Sequence, residues 1–184
     1  MKVVALFRGI NVGGKNIVKM ADLIRVLTAL GLQNVKTYIQ SGNVVFETTL
    51  DEETLLKKIE AAFVESFGFE SNVLVRSADE LQVLIEQLPF TDTELSEAVA
   101  ADPQVEHLYV YFLEEAPSQI QTDEIRKAYT GPDQLRAGKK EIYFLCHPSI
   151  RNSKLAVRAS KEFDSATVRN WKTVKKLYDM LTNL

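Results

Sequence analysis

The first 89 residues alternate between short runs with strand spacing and longer runs with helical spacing, and this order restricts the possible folds most strongly. The order is strand, helix, strand, strand, helix, strand, which is that of a ferredoxin-like α+β unit, and one further helix follows it. The predicted elements are a strand at 2–8, a helix from Met20 to Leu30, strands at 35–40 and 43–48, a helix capped by Asp51 and closed by Gly68, a strand at 72–76, and a helix after the capping box Ser77-x-x-Glu80.

The same order begins again after an acidic stretch rich in turn residues at 90–105, which is predicted to be a linker with one short helix. The sequence therefore predicts an α+β fold with two ferredoxin-like (βαββα-type) halves, at 1–89 and 106–184, and an additional C-terminal helix. The second half shows no clear final strand. Its predicted elements are a strand at 107–113, a helix at 118–129, a hairpin of 134–137 and 140–146 around Gly138, and a last helix at 167–181 that carries Trp171 on its apolar stripe.

Composition favours a protein of the cytoplasm. No apolar run approaches the roughly 20 residues that a membrane helix needs, and the N-terminus lacks the pattern of a signal peptide. Cys146 is the only cysteine, so an internal disulfide is not possible, as expected in a reducing compartment. Cys146 shares a strand face with Ile142 and Phe144, which favours a core position over a reactive thiol.

The net charge of −3 hides an uneven distribution. The stretch 79–133 contains thirteen acidic and two basic residues, whereas the stretch 151–176 contains eight basic and two acidic residues. Such asymmetry can mark an anion-binding surface beside an acidic one, although the basic cluster alone slightly favours two solvated helix faces.

The loop after the first strand is the first candidate site. Its sequence, Arg8-Gly-Ile-Asn-Val-Gly-Gly-Lys15, places two cations and an amide among glycines. Glycines that adopt positive φ can turn backbone N–H groups toward an anion. The alternative is a structural loop in which Arg8 makes an internal salt bridge. The candidate ligand-binding residues here are Arg8, Asn11, Gly13, Gly14 and Lys15.

The same loop matches most of a phosphate-binding P-loop. However, Asn16 stands where that motif needs Ser or Thr to bind Mg²⁺, and the helical spacing starts only at Met20. A nucleotide hydrolase of the P-loop class is therefore disfavoured.

Two further elements are candidates. Asn43 begins the third strand, so the sheet order should bring it, with Gln40 and Ser41, toward the loop of Arg8; the alternative is a hairpin whose polar side chains satisfy their own backbone. Arg169 and Asn170 are predicted in the first turns of the last helix, with Ser165 or Thr167 as its cap, where the helix dipole favours an anion. The alternative there is a solvated basic face.

The sequence shows no complete catalytic constellation, so it does not decide whether the protein is an enzyme. The two histidines belong to no cluster with metal-ligand spacing, no nucleophile elbow is present, and neither a metal nor a cofactor is expected.

Three long segments of the chain are Arg8 to Gly14, Tyr38 to Phe46 and Ala166 to Val174, and a shorter basic segment runs from Arg151 to Leu155. The three long segments, in this order over nearly the whole chain, resemble a bacterial family catalogued as domain of unknown function 1697, and the basic segment resembles the helix start of the same family. The resemblance implies two ferredoxin-like halves and brings no mechanism.

Three functions are compatible with these features. The first is binding of a small phosphorylated or carboxylated ligand in a cleft between the loop of Arg8 and the last helix. The second is a protein-interaction or oligomerisation domain whose motifs are structural. The third is a weak RNA-binding module, which ranks last because the third strand lacks the paired aromatic residues of RNA-binding sheets and the acidic middle opposes a polyanion. The oligomeric state is not predicted, and no membrane partner is expected.

Overall fold

The computed structural model describes residues 1–184. It contains eight strands, seven α-helices and a short 3₁₀-helix at Ile150–Asn152. The strands are β1 (Lys2–Phe7), β2 (Gln33–Tyr38), β3 (Asn43–Glu47), β4 (Val73–Ser77), β5 (Leu108–Phe112), β6 (Gln134–Ala137), β7 (Glu141–Leu145) and β8 (Thr167–Asn170). The helices are α1 (Met20–Ala29), α2 (Glu52–Phe67), α3 (Ala78–Glu86), α4 (Asp92–Ala101), α5 (Gln119–Lys127), α6 (Lys154–Glu162) and α7 (Trp171–Thr182).

The chain divides into two compact units, Met1–Val83 together with Lys175–Leu184, and Leu84–Val174. Each contains one four-stranded antiparallel sheet, with strand order β2-β3-β1-β4 in the first unit and β6-β7-β5-β8 in the second. The predicted α+β class with two similar halves is therefore confirmed. The predicted domain boundaries, with a linker at 90–105, stay a prediction.

The core of the first unit lies between one face of its sheet and helices α1 and α2. Alternate residues of β1, Val3, Ala5 and Phe7, share this cluster with Leu23 and Ile59. This arrangement follows from the two periodicities, since side chains alternate across a strand while helical residues three or four apart share a face. The helix boundaries follow the predicted signals. The Asp51 carboxylate accepts a hydrogen bond from the Thr54 amide at 2.9 Å, and Gly68 closes α2 with a φ of 75°.

The second unit repeats this plan with helices α5 and α6. Its cluster includes Tyr111, Phe144 and Cys146, with Cys146 fully buried, so the predicted core position of the cysteine is confirmed. Burial raises the pKa of the Cys146 thiol to about 12. Asp133 connects the segment after β7 to the start of α6. Its carboxylate accepts hydrogen bonds from the His147 amide at 2.8 Å and from the hydroxyl of Ser153, the cap of α6, at 2.7 Å.

The prediction that the second half lacks a final strand is wrong. Residues Thr167–Asn170 form β8, which pairs antiparallel with β5, and the last helix begins only at Trp171. Four residues are too few to show a strand period of their own, so the run merged with the helical spacing that follows it. The apolar stripe of α7 is also different from the prediction, because Val174, Leu177 and Leu181 are buried whereas Trp171 is partly exposed.

The acidic stretch before β5 contains α4, which is longer than the predicted short helix and begins with a capping box between Thr91 and Glu94. Arg136 of β6 holds this helix through a two-pronged ion pair with Glu94, at 2.5 and 3.0 Å, and its guanidinium lies 4.6 Å from the centre of the Phe90 ring. No helix is both long enough and apolar enough to cross a bilayer.

Candidate functional site

The loop between β1 and α1 is anchored at its base by hydrogen bonds to two other segments of the first unit. The Phe7 amide donates to the Gly42 carbonyl at 2.8 Å, and the Arg8 amide donates to the Asn72 carbonyl at 3.0 Å. The Ser71 hydroxyl donates to the Arg8 carbonyl at 2.9 Å. The start of the loop is therefore fixed on both sides before the chain leaves the sheet.

The tip of the loop is a tight turn centred on the two adjacent glycines. The Lys15 amide donates to the Val12 carbonyl at 3.0 Å, and Gly13 and Gly14 have φ values of 57° and 74°. Positive φ at both central residues is what a type I′ turn requires, and glycine adopts it without steric cost. Gly13 and Gly14 are exposed residues, and their backbone amides donate to no acceptor within the chain.

Asn11 is the central hydrogen-bonding residue of the loop. Its Nδ2 donates to the carbonyls of Val18 and Gln40, at 2.9 and 2.8 Å, and its Oδ1 accepts from the Val18 amide at 2.8 Å. Asn11 itself has a φ of 54°, a left-handed conformation that asparagine tolerates better than most residues. The donors and the acceptor of this side chain are therefore used inside the protein, which makes Asn11 a positioning residue.

A second asparagine closes the loop on itself. The Nδ2 of Asn16 donates to the Gly9 carbonyl at 3.0 Å, while the Asn11 amide donates to the Asn16 carbonyl at 3.0 Å. The sequence does not mark Asn16 as a structural residue, although asparagine among glycines is typical of left-handed backbone. Asn16 has a φ of 52°.

The Gly9–Asn16 bond ties together the two ends of the loop, and the residues that precede these two positions in the chain are the cations Arg8 and Lys15. Both side chains are exposed, and neither forms an ion pair or a hydrogen bond. The alternative of an internal salt bridge for Arg8 is thus not what the structure shows. The loop presents two cations and two unpaired amides on a frame that its own asparagines hold in place.

The β2–β3 hairpin approaches this loop, as the sheet order predicted, through the bond between Asn11 and the Gln40 carbonyl. Asn43 is fully buried, and its side-chain Nδ2 donates to the Ser41 hydroxyl at 2.8 Å and to the Tyr38 carbonyl at 3.2 Å. These contacts give Asn43 a role in closing the hairpin. That Asn43 also contacts a ligand stays a prediction.

The segment that contains Arg169 and Asn170 does not begin the last helix, as the sequence predicts. Arg169 is a strand residue of β8, and Asn170 is the cap of α7, since its Oδ1 accepts from the Thr173 amide at 2.8 Å. The predicted caps Ser165 and Thr167 are therefore wrong. The Arg169 Nη1 donates to the Val168 carbonyl at 2.8 Å, and loss of hydration lowers the pKa of its guanidinium to about 10.

Six of the eight predicted site residues belong to the first unit and two to the second. Arg8, Gly13, Gly14 and Lys15 share the exposed loop that Asn11 holds, and Asn43 lies in the neighbouring hairpin. Arg169 and Asn170 belong to the second unit, so their predicted meeting with the loop stays a prediction. Among the described side chains, no group of three or more His, Cys, Asp or Glu residues is arranged to hold a metal ion.

Comparison with known proteins gives a structural relative and a family. The conserved bacterial protein SP0830 from Streptococcus pneumoniae is 26% identical to this chain, with a TM-score of 0.72 over 98% of each chain. No curated protein matches the sequence. A family described as a protein of unknown function, DUF1697, matches residues 1–143, a range that includes the first two motifs and ends before the third. Because that match covers more than half of its length, the chain belongs to the DUF1697 family.

Proposed function

We propose that this protein binds a small anionic group, a phosphate or a carboxylate, at the exposed loop from Arg8 to Asn16. The observation that supports this most is the pair of cations, Arg8 and Lys15. Their side chains have no partner in the protein, although internal hydrogen bonds hold the loop that carries them. Arginine can donate two parallel hydrogen bonds to a carboxylate or phosphate, and lysine adds a point charge.

The backbone amides of Gly13 and Gly14, which have no acceptor within the chain, supply the remaining donors. A turn with left-handed residues can direct successive N–H groups toward one anion. Because the hydrogen bonds of Asn11 and Asn16 already fix the backbone, binding requires little further ordering of the loop. In this proposal the two asparagines position the donors.

Residues of the second unit would contribute in a different way. Arg169 would add a partly desolvated cation, whereas the side-chain Oδ1 of Asn170 already accepts the hydrogen bond that caps α7. We also infer that each half belongs to the ferredoxin-like class, which the element order and the sheet order of both halves support.

The test is a titration of the whole protein with inorganic phosphate and with acetate, followed by ¹⁵N NMR. We expect the Gly13 and Gly14 amides to shift, and Arg8→Ala or Lys15→Ala to weaken binding severalfold. Lys58→Ala is the matched control, since Lys58 is an exposed lysine of the same unit. If neither anion shifts these amides, or if the control variant weakens binding equally, the proposal is wrong. Arg169→Ala in the same titration tests the contribution of the second unit.

The other two functions that the sequence allows, an oligomerisation domain and a weak RNA-binding module, stay predictions, and each has a direct test. Sedimentation at several protein concentrations tests the oligomerisation domain. Retention on immobilised RNA that falls with added salt tests the RNA-binding module.

A further inference from the structure

Three large aliphatic side chains around the same loop are exposed to solvent. The exposed fractions are 65% for Val12, 63% for Ile17 and 54% for Ile39. Single exposed aliphatic residues are normal on protein surfaces, but a group of them in one place marks a contact site. We call these three residues the aliphatic group.

The hydrogen bonds of Asn11 bring the aliphatic group together. Val12 follows Asn11 directly, Ile17 lies between Asn16 and Val18, and Ile39 precedes Gln40. Each of these neighbours, Asn16, Val18 and Gln40, is bonded to Asn11. All three aliphatic side chains therefore extend from backbone segments that Asn11 ties together, and Lys15 lies between Val12 and Ile17 in the chain.

Ile39 is the most informative of the three, because its backbone is strained. It has a φ of 50°, in the left-handed region that β-branched residues rarely adopt. Its side chain gains little from the core, since more than half of it is exposed. Asparagine or glycine would fit this turn position at lower cost. Strain that the fold does not need points to a role in contact with another molecule.

We infer that the anion bound at this loop carries an apolar group joined closely to its phosphate or carboxylate, and that the aliphatic group contacts that apolar part. This inference rests on the proposed function. The ligand class is thus an organic phosphate or carboxylate with an aliphatic or aromatic substituent. Arg8 and Lys15 bind the charged end, and Val12, Ile17 and Ile39 remove the apolar end from water.

Two matched pairs of probes test the inference: inorganic phosphate against phenyl phosphate, and acetate against benzoate. We expect the aromatic member of at least one pair to bind about tenfold more tightly, a factor that corresponds to 1.4 kcal/mol. Ile39→Asn should remove most of this preference and leave the affinity for the inorganic or small anion unchanged. Ile120→Asn is the control, because Ile120 is 72% exposed in the second unit.

Folding does not limit this experiment, because Ile39→Asn relieves backbone strain and should raise the melting temperature. Equal affinity within both pairs would overturn the inference and leave the proposed anion site intact. Binding of none of the four probes would overturn the proposed function together with the inference. Concentration-dependent dimers that Ile39→Asn abolishes would also overturn it, because a second copy of the chain would then cover the aliphatic group.

Discussion

Arg76 and Arg169 occupy the same register position in the two sheets. Arg76 of β4 lies opposite Val4 of β1, and Arg169 of β8 lies opposite Val110 of β5. In both cases the Nη1 atom donates to the carbonyl of the preceding residue at 2.8 Å. The likeness of the two halves thus extends from the order of the elements to a single side chain and its contact.

The residue after each arginine caps the helix that follows, and this gives the first prediction. Replacing Asn170 by alanine should lower the free energy of unfolding by about 1 kcal/mol, because the Thr173 amide loses its acceptor. Asn170→Asp keeps the acceptor and should retain most of the stability. Urea denaturation measures both variants, and equal stability of Asn170→Ala and the parent chain would contradict the assignment. Ser77→Ala, which breaks the capping box with Glu80, should lower stability similarly.

Asn11 should stabilise the protein in two ways: through the hydrogen bonds of its side chain and through its tolerance of a left-handed backbone. Asn11→Ala removes three hydrogen bonds and should cost about 2–3 kcal/mol, at about 1 kcal/mol for each bond. Asn11→Gly removes the same bonds but accepts the φ of 54°, so it should be about 1 kcal/mol more stable than Asn11→Ala. Chemical denaturation of the pair gives the difference. If the alanine variant proves the more stable one, the left-handed conformation of Asn11 is not present in solution.

Gly42 and Gly68 form a matched pair for a test of close packing, because both have a φ of 75°. A Cβ atom at Gly42 would lie 2.7 Å from the Phe7 Cβ and 2.8 Å from the Ile10 Cδ1, whereas a Cβ at Gly68 would have open space. Gly68→Ala should therefore cost about 1 kcal/mol from backbone strain alone. Gly42→Ala should cost about 2–4 kcal/mol, since overpacking adds to that strain. Equal losses of stability in the two variants would show that the loop and the hairpin are not in contact.

Glu94 should make the stability of the protein sensitive to acid. Hydrogen bonds from the Arg136 guanidinium and from the Thr91 amide lower the pKa of this carboxyl to about 2. Because the folded-state pKa lies below the ordinary value of 4.5, the stabilisation is complete above the ordinary value and is lost as the pH falls from there toward about 2.

The comparison that checks this is the melting temperature of the parent chain and of Glu94→Gln across that pH range. The parent should be the more stable protein near neutral pH, and the difference should shrink as the carboxyl becomes protonated. Gln119→Ala is a control, because Gln119 is exposed and its side chain forms its one hydrogen bond with Asp123, far along the chain from Glu94. A constant difference between the parent and Glu94→Gln would mean that Glu94 is not ionised in the pair.

Sequence patterns were sufficient where a periodic run was long or where a cap had a specific chemistry. The helix from Asp51 to Gly68 and the capping box of Ser77 are present because short polar side chains and glycine have few other favourable positions. The repeated order of strands and helices in the second half could be predicted from the spacing of apolar residues alone.

Patterns failed where tertiary pairing decided the structure. The four residues of β8 are a strand because β5 offers them an open edge, which no local propensity reveals. The left-handed Ile39 was not predictable, because its residue type disfavours that conformation. The sequence could nominate Asn11 as a donor or acceptor, but only the structure shows that Val18 and Gln40 already occupy it.

The buried thiol of Cys146 has a practical consequence for studying the loop. Since its pKa is raised to about 12 and its side chain is inaccessible, it should not react with maleimide reagents while the protein is folded. A cysteine introduced at an exposed position near the loop, such as Lys19, would then be the only labelled site. A single fluorophore attached there would report directly on whatever approaches this edge of the molecule, without any need to remove the natural cysteine.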